Sequence, residues 1–127
     1  MHEALEKGPV LVVDDDPLLA LSMADMVESA GAEHCEMAFS VASALRMIHM
    51  RQPVFAFLDF HLGPETSAKI ACELVRRQIP YAYVTGQPAA VLRDPNAPKS
   101  TIIEKPADLA AVRMALRLAT SQHEAVA

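Results

Sequence analysis

The chain has 127 residues, 52% of them hydrophobic, with 9 prolines, 4 glycines and no tryptophan. That length suits one domain of the usual ~100–200 residues, and so apolar a composition excludes a disordered chain. Sixteen acidic against eleven basic residues give a net charge of −5 without any Lys/Arg block, so the basic stripe of a nucleic-acid binder is missing.

Short apolar runs alternate with segments of helical period. Pro9-Val10-Leu11-Val12-Val13 reads as a strand buried on both faces, stopping at acids. Asp16-Pro17 then predicts a helix cap followed by proline in the first turn. Leu19, Met23, Met26, Val27 and Ala30 recur at helical steps toward a stop at Gly31. A weak second strand, about Glu33 to Ala38, precedes Ser40 as a cap and a helix facing inward through Val41, Ala44, Leu45 and Ile48. Pro53 to Leu58 is a third apolar strand ending at Asp59, followed by a loop with Gly63-Pro64 and a helix carrying Ile70, Ala71, Leu74 and Val75. Tyr81 to Val84 runs into Thr85-Gly86. Between Pro88 and Pro98 the prolines allow only a few helical turns. Thr101-Ile102-Ile103 leads to Glu104-Lys105-Pro106, and Leu109, Val112, Leu116 and Ala119 mark a closing helix.

Strands alternating with helices, without hairpin signals, predict an α/β fold: a parallel sheet covered on both faces by right-handed crossovers. Ligands in such sheets sit beyond the carboxyl ends of the strands. The longest unbroken aliphatic run, Val10 to Val13, is far short of the ~20 residues of a membrane span. Met1 to Gly8 carries Glu3, Glu6 and Lys7 and no apolar stretch, unlike a secretory signal. A single domain over residues 1–127, with its core about 9–121, is expected, and a soluble, cytoplasmic protein. Cys35 and Cys72, far apart and outside any CxxC, are expected to be reduced core thiols.

Five polar residues follow directly from strand ends: Asp14, Asp15, Asp59, Thr85 and Lys105. Converging carboxylates are costly, since two charges at ~4 Å repel by about 4 kcal/mol at an effective dielectric near 20. A hard divalent cation relieves this, and Mg²⁺ takes one or two carboxylates while leaving places for phosphate oxygens. Lys105 adds a mobile positive charge and Thr85 a hydroxyl donor, so together they suit a phosphoryl group. A carboxylate between metal and lysine is also a nucleophile. Asp16 reads instead as a cap, and the His61 ring as a loop side chain with no second histidine at ligand spacing. His2, His34, His49 and His123 read as surface or filler positions, and Met23, Met26 and Met47 as core.

With the acidic pair in Val-Val-Asp14-Asp15-Asp16-Pro17, Phe-Leu-Asp59, Thr85-Gly86 and Lys105-Pro106, each at a strand end and in order, the sequence resembles a bacterial response-regulator receiver domain. The likeness is to the chemotaxis-regulator type and spans about Val10 to Thr120. It implies a doubly wound, flavodoxin-like five-stranded sheet in order 2-1-3-4-5. It also implies Asp59 as phosphoacceptor, served by a sensor histidine kinase or phosphotransfer protein. Asp15, Asp59 and the His61 backbone carbonyl would ligate Mg²⁺, Asp14 mainly through water, while Thr85 and Lys105 hold the phosphoryl oxygens. A cis bond at Lys105-Pro106 is implied too. The family's usual proline four residues after the acceptor is replaced by a Gly63-Pro64 pair, and its aromatic switch residue, three positions before the lysine, is Ile102. Gly86, Gln87 and His61 flank the phosphoryl site, and the last two stand where the family tunes the hydrolysis of the aspartyl phosphate.

The implied function is a phosphorylation switch in a two-component system. Its output is binding of a downstream protein, with no output domain and no catalysis beyond its own phosphorylation and dephosphorylation. Two other readings differ in kind. Asp14-x-Asp16 is similar to the motif of haloacid-dehalogenase-like Mg²⁺ phosphohydrolases, with Asp14 as nucleophile, although Pro17-Leu18 and the short chain fit that family poorly. A phosphate-independent interaction module on the same fold is the other. The closing helix is apolar beyond one stripe, through Ala111, Met114, Ala115 and Leu118, with Arg113 and Arg117 as its polar edge. A broad buried face explains this, or a partner or homodimer surface near the last strand and helix.

Overall fold

The computed structural model describes residues 8–126, with side chains through Ala119. The readings made for His2, Glu3, Glu6, Lys7 and the His123 side chain lie outside the described residues. Among these residues lie seven strands: β1 Val10–Val13, β2 Cys35–Ala38, β3 Phe55–Asp59, β4 His61–Leu62, β5 Glu65–Thr66, β6 Tyr81–Thr85 and β7 Thr101–Glu104. Five helices accompany them: α1 Pro17–Ser29, α2 Val41–Met50, α3 Ala68–Arg76, α4 Pro88–Arg93 and α5 Leu109–Val126. The main sheet is five-stranded and parallel in order β2-β1-β3-β6-β7. With the hairpin strands β4 and β5 set aside, this is the expected order 2-1-3-4-5.

Alternation along the strands builds two cores. Leu11, Ala56, Leu58 and Tyr83 face one side, packed by Val41, Ala44 and Ile48 of α2, Ile70 and Leu74 of α3, and Val91 of α4. Val10, Val12, Phe57 and Val84 face the other, packed by Ala20, Met23 and Val27 of α1 and by Val112, Ala115 and Leu116 of α5. All of β1 is therefore buried, as its unbroken aliphatic run requires.

Both helix caps read from sequence are formed. The Asp16 carboxylate accepts the Leu18 amide ahead of Pro17, and the Ser40 hydroxyl accepts the Ser43 amide. The inward face of α1 differs from the expected one. Ala20, Met23, Ala24 and Val27 are buried, while Leu19 is exposed and Met26 and Ala30 are half-buried. The two alanines let the helix backbone approach the sheet more closely than leucine would allow. Val75 of α3 is likewise exposed. Of the second apolar stripe on α5, Ala115 is buried, and Met114 and Leu118 point outward. Both cysteines are free, but Cys72 is exposed, not a core thiol. Cys35 is half-buried, and burial, with Glu28 and Glu36 nearby, pushes its thiol up to about 12.

The aromatic residues of β6 form their own arrangement. The Tyr83 side chain is fully buried, edge-on to both Tyr81 and Phe60. Its hydroxyl donates to the Pro98 carbonyl at 2.6 Å, and the Tyr81 hydroxyl donates to the same oxygen at 3.1 Å. Tyr83→Phe is expected to cost about 1 kcal/mol, the usual worth of one such bond, as a lower urea midpoint with unchanged slope. The cost is small because Tyr81 still satisfies the Pro98 carbonyl.

Candidate acidic site at the strand ends

Strand register brings the polar residues to one edge. Asp59 pairs with Val84 and Thr85 with Glu104, so the residues ending β3 and β6 lie beside those following β1 and β7. Asp14 is buried, and its Oδ1 accepts the Asp16 amide at 2.9 Å. Asp16 itself is occupied by the helix cap. Asp15 is exposed, and its Oδ2 accepts the Gly63 amide at 2.9 Å.

That last contact involves a feature the sequence did not announce. Between Asp59 and α3 the chain makes a small antiparallel hairpin, His61 against Thr66 and Leu62 against Glu65, where only a loop was expected. Gly63 turns it at φ +62°, a left-handed conformation that a Cβ disfavours. A backbone donor aimed at a carboxylate leaves no side-chain signature. Only Gly63 itself, beside Pro64, hinted at it.

Asp14, Asp15 and Asp59 each offer a carboxylate oxygen within 4.8 Å of the others. Lys105 supplies the counter-charge: its Nζ lies 3.1 Å from Asp59 Oδ1 and 3.6 Å from Asp14 Oδ2. One ammonium does not balance three acids. Burial, reinforced by the charge on Asp14 and opposed by the Lys105 hydrogen bond, raises the Asp59 carboxyl to about 6. Burial works against the charged form of Lys105, but Asp59 and Asp14 outweigh it and hold its pKa above the ordinary value. An all-oxygen donor set with surplus negative charge fits a hard divalent ion such as Mg²⁺.

Thr85 is buried with its Oγ1 accepting the Gln87 amide at 3.0 Å, which leaves the hydroxyl proton to donate elsewhere. The Lys105 amide donates to the Thr85 carbonyl at 2.8 Å, tying the two residues together. The Lys105-Pro106 bond is cis. The His61 ring is exposed and stands edge-on to Phe60. His61 does not lie in a loop as expected but opens β4, and its ring stands outside the cluster of Asp14, Asp15 and Asp59. Ile102 is half-buried against the core, and the aromatic bulk of this region lies on β6 instead.

No family model matches the chain, and no curated protein does. Solved structures do. The PhyR response regulator REC domain of Erythrobacter litoralis superposes with a TM-score of 0.81 at 20% identity, over 93% of each chain. The N-terminal domain of a response regulator/sensory box/GGDEF 3-domain protein from Carboxydothermus hydrogenoformans gives 0.79 at 20%, over 92% of this chain and 97% of that one. PhyR from Brucella abortus gives 0.80 at 23%, over 98% of this chain but only 53% of its own length. This chain thus spans about half of such a PhyR protein. The likeness is one of fold: the chain has the receiver fold of response regulators. No helix among the described residues is long and apolar enough to cross a membrane.

Proposed function

We propose that this chain is a phosphoacceptor switch of a two-component system: Asp59 takes a phosphoryl group from a histidine kinase or phosphotransfer protein, with Mg²⁺ as cofactor. The observation that carries this reading is the Lys105 ammonium lying against both Asp59 and Asp14 within a cluster of three carboxylates. An ion pair serving stability alone would need one acid. Here two further carboxylates crowd it, at the end of the sheet where such folds bind ligands.

Each residue has a part. Asp59 Oδ attacks phosphorus as the bond from phosphorus to the donor's leaving group breaks, leaving an acyl phosphate. The Lys105 ammonium and the Thr85 hydroxyl, both free to reorient toward that group, stabilise its oxygens. Asp14, Asp15, Asp59 and the His61 backbone carbonyl would hold Mg²⁺, which supplies charge neutralisation when bound, and the Gly63 amide orients Asp15. Gln87 and His61 flank the path of the water that later cleaves the acyl phosphate.

Phosphorylation adds negative charge where Lys105 and Thr85 must follow it, and a downstream protein target reads the altered surface. Exposed Leu18, Leu19 and Leu21 of α1, beside the site, suit contact with the phosphodonor protein. Met114 and Leu118 with Arg113 and Arg117 on α5 suit a partner or a second copy of the chain. In this reading residues 1–127 act as one cytoplasmic domain with no direct contact to nucleic acid or membrane. Incubation with Mg²⁺ and a small acyl-phosphate donor is expected to add one base-labile phosphate per chain by intact mass. No incorporation at any Mg²⁺ concentration would favour the phosphate-independent module.

A further inference from the structure

Helices α1 and α5 lie side by side on one face of the sheet, where both pack on Val10, Val12, Phe57 and Val84. Each starts beyond the carboxyl end of a strand, α1 after β1 and α5 after β7, and those strands are parallel. The two helices therefore run in the same direction from the same edge of the sheet. A cavity of about 400 Å³ opens between α1 and the segment joining β7 to α5, and its polar end is the acidic site already described. Outside that cavity the helices turn a second surface to solvent. Leu18, Leu21 and Met114 are each at least half exposed there, with Asp25, Arg113 and Arg117 among them. Lone exposed apolar residues need no explanation, but several on adjoining helices make a patch of the kind that partners cover.

Charge selects what covers the patch. The charged residues of α1, Asp25 and Glu28, are both acidic and exposed, and no lysine or arginine occurs from Gly8 to Leu45. The charged side chains described on α5, Arg113 and Arg117, are both basic and exposed. Pairing α1 with its own copy, or α5 with its own, sets like charges together, whereas α1 on α5 sets opposite charges together. A two-fold axis parallel to the helices makes that contact twice and keeps the paired helices parallel and level. Leu21 and Met114 stand four and five residues past the starts of their helices, and Asp25 and Arg117 both stand eight. At ~1.5 Å per residue the charged pair meets about 12 Å along the axis, below the apolar pair. We propose that this face is an interface between two copies of the chain: α1 of each packs on α5 of the other, Leu18 and Leu21 cover the partner's Met114, and Asp25 pairs with the partner's Arg117 in both contacts. The dimer covers the α1 leucines that the proposed function gives to the phosphodonor protein, so two copies shield each other from it. That consequence rests on the phosphoacceptor reading; the interface itself does not.

The test is sedimentation equilibrium of the full chain from about 1 μM to about 1 mM, a range that reaches weak self-association. A mass rising from one chain to two and no further is expected, with added salt weakening the dimer as its ion pairs are screened. Asp25→Arg and Arg117→Glu each turn two attractive contacts into repulsive ones, so each should weaken the dimer about tenfold or more, with native circular dichroism. Mixed in equal amounts, the two variants can form a dimer with one native contact and one reversed but still complementary contact. That mixture, like the double variant, should return to within about threefold of the parent affinity. A monomer throughout the range, a dimer that ignores both substitutions, a mixture that fails to recover, or a mass that climbs past two chains would overturn the proposal. Phosphate incorporation from a small acyl-phosphate donor, measured on the same samples, separates the two readings. A dimer that never accepts phosphate keeps this interface and removes the phosphoacceptor reading, and a monomer that accepts phosphate does the reverse.

Discussion

Asp59→Asn is expected to make the folded chain more stable at neutral pH, by about 1–3 kcal/mol, the worth of a carboxyl raised from its ordinary value to near 6. The sign follows from proton linkage. The unfolded chain releases the Asp59 proton near 3.8, the folded chain near 6. Between those values the folded state holds more protons, so stability falls as pH rises through the window. Asparagine mimics the neutral acid at every pH. The gain should therefore be near zero at pH values below the window, grow across it, and be complete above it. Urea denaturation of both proteins below and above the window, in metal-free buffer, measures it. Adding Mg²⁺ should stabilise the parent more than the variant. An Asp59→Asn chain no more stable than the parent above the window would mean that the three carboxylates carry no unrelieved repulsion.

Lys105→Met should cost function far more than stability. The aliphatic stem of the side chain lines the cavity beside Pro106 and Ala107, and methionine keeps much of that packing. The ammonium is lost, and with it the charge that meets the phosphoryl oxygens as they gain negative character. Removing one such preorganised donor typically costs 10²–10³-fold in rate, so the initial rate of phosphoryl incorporation should fall by about two orders of magnitude or more. Circular dichroism should stay native. The remaining acids lose their counter-charge at 3.1 and 3.6 Å, so the variant should also be less stable above the Asp59 titration than below it. Incorporation within threefold of the parent rate, well inside the ~10²-fold expected for such a donor, would remove Lys105 from the phosphoryl site.

The sheet order and the acid–lysine site were legible because each rests on a strong local signal. Val10 to Val13 has no polar residue with which to face water, and Asp59, Thr85 and Lys105 each interrupt a strand at its carboxyl end. Asp16 and Ser40 announce their helices by the chemistry of capping. What the sequence left open was the choice between near-equivalent faces. In α1, Leu18, Leu19, Leu21 and Met26 compete with Ala20 and Ala24 for the core, and hydrophobic periodicity favours the larger side chains. Close packing on the sheet selects the smaller ones instead. Of the leucines this releases to the surface, Leu19 shares a cavity wall with Asp14 and Asp59.

The hairpin escaped for a different reason. Two strands of two residues each are too short to carry a period, and their consequence, the Gly63 amide on Asp15, is a backbone contact across 48 positions. The cavity is likewise a product of assembly. Its walls come from α1, β3, β6 and the segment after β7, and no stretch of sequence contains it. Ile102 shows the converse: its identity was plain, but the aromatic cluster of Tyr81, Tyr83 and Phe60 beside it on the same face of the sheet emerged only with the packing.

Phosphorus is expected to bond to Asp59 and to no other carboxylate of the cluster. Mapping the modified residue addresses it directly: the chain is phosphorylated with Mg²⁺ and a small acyl-phosphate donor, the acyl phosphate is reduced with borohydride to the stable homoserine, and the peptides are sequenced by mass spectrometry. Homoserine is expected at position 59 alone, absent without donor and absent in Asp59→Asn. Homoserine at position 14, retained in Asp59→Asn, would contradict it and point to the hydrolase chemistry of Asp14-x-Asp16.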